Sequence, residues 1–415
     1  MSDQPPRRRA YASLYIRDFR LFISARFCVT LAIQIQAVVV AWQVYEITKD
    51  PLSLGLIGLA EAIPSITVSL YAGHIADIVQ RKKIIVTTIS TLLFCSASLL
   101  YFTTDLGAFL LSYGVFPIYS VMFISGIARG FLTPAAFSFM PQLVPRDLFT
   151  NAVTLNSSLW QAAAIAGPSL GGFIYGFFGV TASYAVDVLL VIISLSLISF
   201  IPERPLPPAS EEQGVVEKIR AGLRFVFNNQ IILSAISLDL FAVLFGGAVA
   251  LLPIFTSEIL HVGPEGLGML RAAPWVGALI IAVYLTHNPI SKHAGRILLA
   301  SVAAFGICMI LFALSTSFWF SLFLLALSGG FDCVSVIIRG TLLQTLTPEN
   351  MKGRVSAVNN IFIGSSNEIG MFESGVAAKL IGTIPSVIFG GCMTILVVII
   401  TTFKATKLRD LQRVE

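Results

Sequence analysis

Residues 53–102 read SLGLIGLAEAIPSITVSLYAGHIADIVQRKKIIVTTISTLLFCSASLLYF. Two apolar stretches of about twenty residues flank a short loop that carries Asp77 and the run Arg81-Lys82-Lys83. About twenty apolar residues in helical form cross the ~30 Å of bilayer hydrocarbon, so the segment reads as two membrane spans and the turn between them. The same unit recurs along the 415 residues. The first six expected spans are Leu21–Tyr45, Ser53–Ile75, Ile84–Phe102, Tyr113–Phe137, Ala152–Phe178 and Thr181–Ile201. The second six are Ile231–Phe255, Gly266–Leu285, Ile297–Leu314, Phe318–Leu343, Val355–Leu380 and Ser386–Phe403. The expected fold is an all-α membrane protein of twelve transmembrane helices. Composition points the same way. Of the chain, 56% is hydrophobic and 12% charged, against about 25% charge in a soluble domain that must cover its surface.

Basic residues orient the spans. With the amino end in the cytoplasm, the inner segments carry Arg7, Arg8, Arg9, Arg17, Arg20, Arg81, Lys82, Lys83 and Arg146. They also carry Arg204, Lys218, Arg220, Arg224, Lys292, Arg296, Lys352, Arg354 and the tail residues Lys404, Lys407, Arg409 and Arg413. Lys49 and Lys379 fall outside. The net charge of +5 is therefore topology and not a nucleic-acid footprint. A multi-pass protein of the cytoplasmic (inner) membrane is expected, with both termini cytoplasmic. The first twenty residues are polar and basic and lack a signal-peptide h-region, so they are expected to be retained.

Residues 202–230 form the one sizeable polar insert. They divide a six-helix bundle at 1–201 from another at 231–415. The insert opens PERPLPPAS, and Val216, Ile219, Leu223 and Val226 then recur at helical spacing. An amphipathic helix on the inner membrane surface is expected. Sliding the halves by 203 residues superposes Ser125-Gly126 on Ser328-Gly329, Pro145 on Pro348 and Asn156 on Asn359. The same offset superposes Gly167 on Gly370, Gly172 on Gly375 and Gly179 on Gly382. Two pseudo-symmetric bundles are the sequence signature of a transporter built from repeats.

Other chemistries lack their residues. The five cysteines have no CxxC spacing and the four histidines no HExxH or HxxxH pair, so no metal or disulfide framework is expected. No Gly-Lys dipeptide occurs, hence no phosphate-binding GxxxxGK[ST] loop, and the GxSxG string Gly167-Pro-Ser-Leu-Gly171 lies inside an apolar span and not in the strand–turn–helix setting of a nucleophile elbow. Neither an enzyme nor an ATP-driven pump is expected, and no cofactor.

The loop Gly73-His-Ile-Ala-Asp77-Ile-Val-Gln-Arg81-Lys82 resembles the signature of the major facilitator superfamily, G-x-x-x-D-x-x-G-R-[KR]. Gln80 replaces the usual glycine and Ile78 a common arginine. Gly167-Pro168-Ser-Leu-Gly171-Gly172 resembles the end of the antiporter motif found mainly in exporters, and serves helix packing equally well. Arg339 through Asn359, with Ala25-Arg26-Phe27, is similar to the enterobactin-exporter-like branch, which also holds multidrug effluxers. The resemblance runs over roughly residues 15 to 405. It implies a secondary transporter exporting a small organic molecule, siderophore-like or amphipathic and drug-like, by proton antiport with alternating access. A lipid or lysophospholipid flippase, or an uptake permease, is the alternative on the same fold. A monomer with small-molecule, proton and lipid partners is expected. The resemblance also implies a gating role for Gly73, Asp77, Arg81 and Lys82.

Charges inside spans are costly and so are functional candidates. Arg26, Glu61, Arg129, Asp187, Asp239, Arg271, Asp332, Arg339, Glu368 and Glu373 are such residues. The 203-residue shift places Arg129 on Asp332, and a shift of 213 places Arg26 on Asp239. The first half supplies cations and the second anions at matching positions. In the superfamily that the chain resembles, helices 1, 4, 7 and 10 line the central cavity, which implies Arg26, Arg129, Asp239 and Asp332 in substrate binding and proton coupling, as cross-cleft partners, with Glu61 and Glu368 next. Static ion pairs are the competing reading.

Overall fold

The computed structural model describes residues 11–105, 107, 112–205, 215–288, 290, 292–348 and 351–411. At a few helical positions, Gly73, Asp77 and Glu368 among them, the side chain lies outside the described residues. The described chain is helical, with no strand. The helices are α1 Arg17–Thr48, α2 Pro51–Ile78, α3 Arg81–Phe102, α4 Phe116–Phe139 and α5 Phe149–Ser199. After them come α6 Val215–Asn228, α7 Gln230–Gly246, α8 Pro264–His287 and α9 Ala294–Leu314. The last long ones are α10 Phe318–Leu346, α11 Lys352–Ile381 and α12 Thr383–Lys404. Among the described residues ten helices are long and apolar enough to cross a membrane. One of them, α5, covers two expected spans, and α11 lies over another but is less apolar.

Side chains on the outside match a lipid solvent. Phe177 is 72% exposed, Phe178 75% and Phe403 74%, a pattern that water would punish and hydrocarbon does not. Within the bundles, buried side chains of α1, α3, α4 and α5 form one cluster around Phe22, Ile85, Phe139 and Val191. A separate cluster joins α7, α9, α10 and α12 through Leu238, Val302, Ile338 and Val398.

The chain separates into two compact units. The first holds described residues of 1–43 and 60–211, the second those of 44–59 and 212–415. The second unit therefore takes in the end of α1 and the start of α2. There, Lys379 donates to Asp50 at 2.8 Å, the Tyr45 hydroxyl donates to Glu258, and a Cβ on Gly375 would lie 2.9 Å from the Cα of Gly55.

Internal geometry repeats between the units as the sequence offset implies. Gly179 (φ 82°) bends α5 and Gly382 (φ 94°) separates α11 from α12; both are in the left-handed region that favours glycine. A Cβ on Gly167 would lie 3.3 Å from the carbonyl oxygen of Leu31, and one on Gly370 would lie 2.8 Å from that of Leu244. Those two acceptors are separated by the 213 residues that relate the first and seventh spans. Gly126 and Gly329 each face a proline-bearing helix: Gly126 meets Pro64 of α2 and Gly329 meets Pro274 of α8.

The insert helix packs on the second unit. Val226 is fully buried, in one cluster with Ile232, Ile236, Val355 and Val358, and a Cβ on Gly222 would lie 2.8 Å from the carbonyl of Arg354. Leu223 and Val226 of α6 pack on the start of α11, and Arg220 and Arg224 are exposed.

Candidate functional site

In the first unit, α1, α3, α4 and α5 enclose a cavity of about 240 Å³. Its polar lining is Arg26, Thr30 and Gln34 of α1 with Arg129 and Thr133 of α4, set among apolar residues that include Ile33, Leu132 and Trp160. Helical spacing explains the convergence: 26, 30, 33 and 34 share one face of α1, and 129, 132, 133 and 136 share one face of α4.

The two arginines of this cavity differ in their partners. Arg129 donates to the carboxylate of Glu61 on α2, and at 3.4 Å to the side-chain oxygen of Gln36. Its Nε is buried with no partner. Asp187, 1% exposed, lies near Ser96 and within the electrostatic reach of Arg129, while its Oδ2 has no hydrogen-bond partner among the described residues. One guanidinium therefore serves two carboxylates. Arg26 is half-buried, and among the described residues its guanidinium lies over the Phe22 ring, 6.0 Å from the centroid. It also lines a small second cavity with Trp160 and Asn156.

In the second unit, Arg339 forms a buried ion pair with Asp239, their side chains 4% and 8% exposed. Asp239 shares a cavity of about 10 Å³ with Asp332, Ser335 and Phe331. Thus the partner of Arg129 is Glu61 and the partner of Asp239 is Arg339, both within a unit, where the repeat suggested Asp332 and Arg26. The reason lies in helix packing. The sequence offset reports equivalent positions, whereas a partner is fixed by which helices lie side by side, α2 with α4 and α7 with α10. The role of Arg339 was not drawn from the sequence, nor was the attachment of Asp187 to the Arg129 cluster, though both stood out as charges within apolar spans.

In the first turn of α3, Arg81 donates to the carbonyl of Ser138 at 2.9 Å and Lys82 to that of Ser199 at 3.1 Å. Ser138 lies in the last turn of α4 and Ser199 ends α5, so both bases sit where helix C-termini favour cations. The side chains of Asp77, Gly73 and Glu368 lie outside the described residues. Gly167 and Gly171 admit α1: a Cβ at the first would lie 2.4 Å from Cβ of Gln34, and at the second 3.1 Å from Cα of Ile35. Pro168 and Gly172 are buried beside them. Among the described residues no group of three His, Cys, Asp or Glu side chains is placed to hold a metal.

The chain matches the family described as transmembrane secretion effector over residues 8–414. It is 26% identical over 340 residues to the enterobactin exporter EntS of Salmonella typhi, covering 82% of this chain and 80% of the relative. It is 25% identical, with the same coverage, to the EntS of Citrobacter koseri. Among solved structures, a D-xylose–proton symporter superposes with a TM-score of 0.73 at 14% identity, over 95% of this chain and 99% of that one. A bacterial homologue of the iron transporter ferroportin in an inward-facing state gives 0.68 at 17%, also over 95% and 99%. At these identities the solved structures share the fold alone.

Proposed function

Since the chain belongs to the transmembrane secretion effector family of the major facilitator superfamily, we propose that it exports a siderophore-like or amphipathic drug-like molecule across the cytoplasmic membrane in exchange for protons. It is a secondary transporter and not an enzyme, and its family runs on ion gradients without a cofactor. The observation that carries the reading is the first-unit cavity of about 240 Å³, walled largely by apolar side chains, into which two arginines open. Arg26 and Arg129 receive the substrate. Asp332 and Asp239 take the proton, with Glu61 and Glu368 as further carriers. Asp332 supports this assignment: it shares a cavity with Asp239 but not its ion pair, so a conformational change that carried Arg339 from one carboxylate to the other would change which of them is favoured as the ionised form. A site whose protonation differs between conformations is what coupling requires. The 2–3 loop residues Gly73, Asp77, Arg81 and Lys82 gate the cytoplasmic side, the chain works as a monomer, and both termini are cytoplasmic.

A lipid substrate would need a lateral opening lined by small residues. Among the cavity residues only Ala136 is smaller than threonine, so the flippase alternative gains nothing here. The test begins with a susceptibility and metabolite screen of a deletion strain, and its hits are reconstituted with purified protein in proteoliposomes. Asp332→Asn is expected to abolish accumulation driven by an imposed pH gradient and to spare counterflow. If Asp332→Asn and Asp239→Asn transporters both still concentrate substrate under that gradient, the coupling assignment is wrong.

A further inference from the structure

We infer, building on the exporter reading, that the first-unit cavity is a subsite for one aromatic ring bearing a single negative charge, with Arg26 as the anion-recognising group. The charges decide the sign. Arg129 is engaged by Glu61 and Gln36, and Asp187 adds its field to the same guanidinium. Both nearby carboxylates thus act on Arg129. Among the described residues Arg26 keeps only the Phe22 ring, at the ~6 Å limit where a cation–π contact is weak. An arginine at this depth is costly without a counter-ion, and the cavity supplies the space for one. It lies against Arg26 together with the hydroxyl of Thr30 and the amide of Gln34, which can complete the recognition of a carboxylate or sulfonate.

Shape and lining decide the rest. Trp160, 40% exposed, lines both cavities that Arg26 lines, so an indole and a guanidinium border the same space. Ile33 and Leu132 supply apolar wall. A volume of about 240 Å³ lies below the ~300–1,000 Å³ of pockets that enclose drug-sized ligands. It accommodates one ring and its acidic group, so a larger exported molecule enters with one arm. Organic cations of the same shape are rejected by like charge at Arg26.

The experiment uses three near-isosteric probes, radiolabelled benzoate, benzamide and benzylammonium, binding to the full-length protein in lipid nanodiscs. Benzoate is expected to bind at least about tenfold tighter than the other two. Arg26→Gln should remove that preference while Arg26→Lys retains most of it, and Trp160→Ala should weaken benzoate binding in a protein whose Arg26 is untouched. Equal binding of the three probes, no benzoate binding by the wild type, or unchanged discrimination in Arg26→Gln would overturn the inference. Thermal midpoints of each variant separate lost binding from lost folding, and Arg26→Lys keeps the test decisive if Arg26→Gln does not fold. The export assay on hits from the deletion strain stands apart from these probes, so the subsite can fail while the exporter reading survives.

Discussion

The crossing of α8 and α10 gives a demanding test of the second unit. Two glycines sit there in reciprocal contact: a Cβ on Gly329 would lie 2.0 Å from the carbonyl oxygen of Pro274, and one on Gly277 would lie 1.7 Å from that of Ala326. The obstacles are backbone atoms and have no rotamer by which to yield. A methyl at Gly329 must gain at least roughly 1 Å, and a gap of that size along the interface forfeits a quarter to a half of each dispersion contact. Overpacking costs about 1–3 kcal/mol where side chains can move, so Gly329→Ala should cost ~3 kcal/mol or more. Gly340, on the same helix, has no atom within 4 Å of its Cβ position. Gly340→Ala should therefore be neutral or stabilising by up to ~1 kcal/mol, through helix propensity alone. The assay is thermal unfolding of purified protein followed by tryptophan emission, with Trp275 on α8 and Trp319 on α10 as reporters. Gly277→Ala combined with Gly329→Ala should cost less than the two separately, because helices already parted by one methyl accept the second. A Gly329→Ala protein as stable as the wild type, or a Gly340→Ala protein equally damaged, would refute the close crossing.

Three other predictions follow from the charges. Asp239→Asn or Arg339→Gln alone leaves a buried partner uncompensated and should cost about 3–5 kcal/mol, whereas Asp239→Leu with Arg339→Met should recover most of the thermal midpoint and none of the pH-driven transport. Asp50 lies outside the membrane spans, and its hydrogen bond from Lys379 holds its carboxyl below the usual range. The contribution of that pair is then present above roughly pH 4 and lost as pH falls through the depressed value. The stability difference between wild type and Asp50→Asn should shrink in acid, and a difference that grows would contradict the assigned sign. A reporter fused after Glu415 should behave as cytosolic, and an external reporter would break the pairing of the spans.

The span positions were legible because length and polarity set them. Each expected span has a helix over most of its length, and the expected break between Phe178 and Thr181 falls at Gly179, where a positive φ bends α5. The repeat was legible because glycines at matching offsets perform matching tasks, as Gly167 and Gly370 do against Leu31 and Leu244. Ion-pair partners were not. Arg129 and Glu61 are 68 residues apart and Asp239 and Arg339 a hundred, and no periodicity along one helix says which neighbour lies within reach. The insert helix shows a second limit. Its stripe, Leu223 and Val226 included, announces an apolar neighbour, but hydropathy does not distinguish the start of α11 from lipid tails.

The bonds from Arg81 and Lys82 have a consequence for local unfolding. The last carbonyls of a helix lack partners of their own, and here α4 and α5 borrow donors from the first turn of α3, where it leaves a loop far away in sequence. Each end is therefore only as firmly closed as that loop is seated. Whenever the loop lifts, the final turns near Ser138 and Ser199 lose a cap in the same event and fray together, at the low-stability end of the range that helix termini occupy. Amide exchange at these two places, 61 residues apart, would then rise and fall in step, and would report the seating of the loop without any probe attached to it.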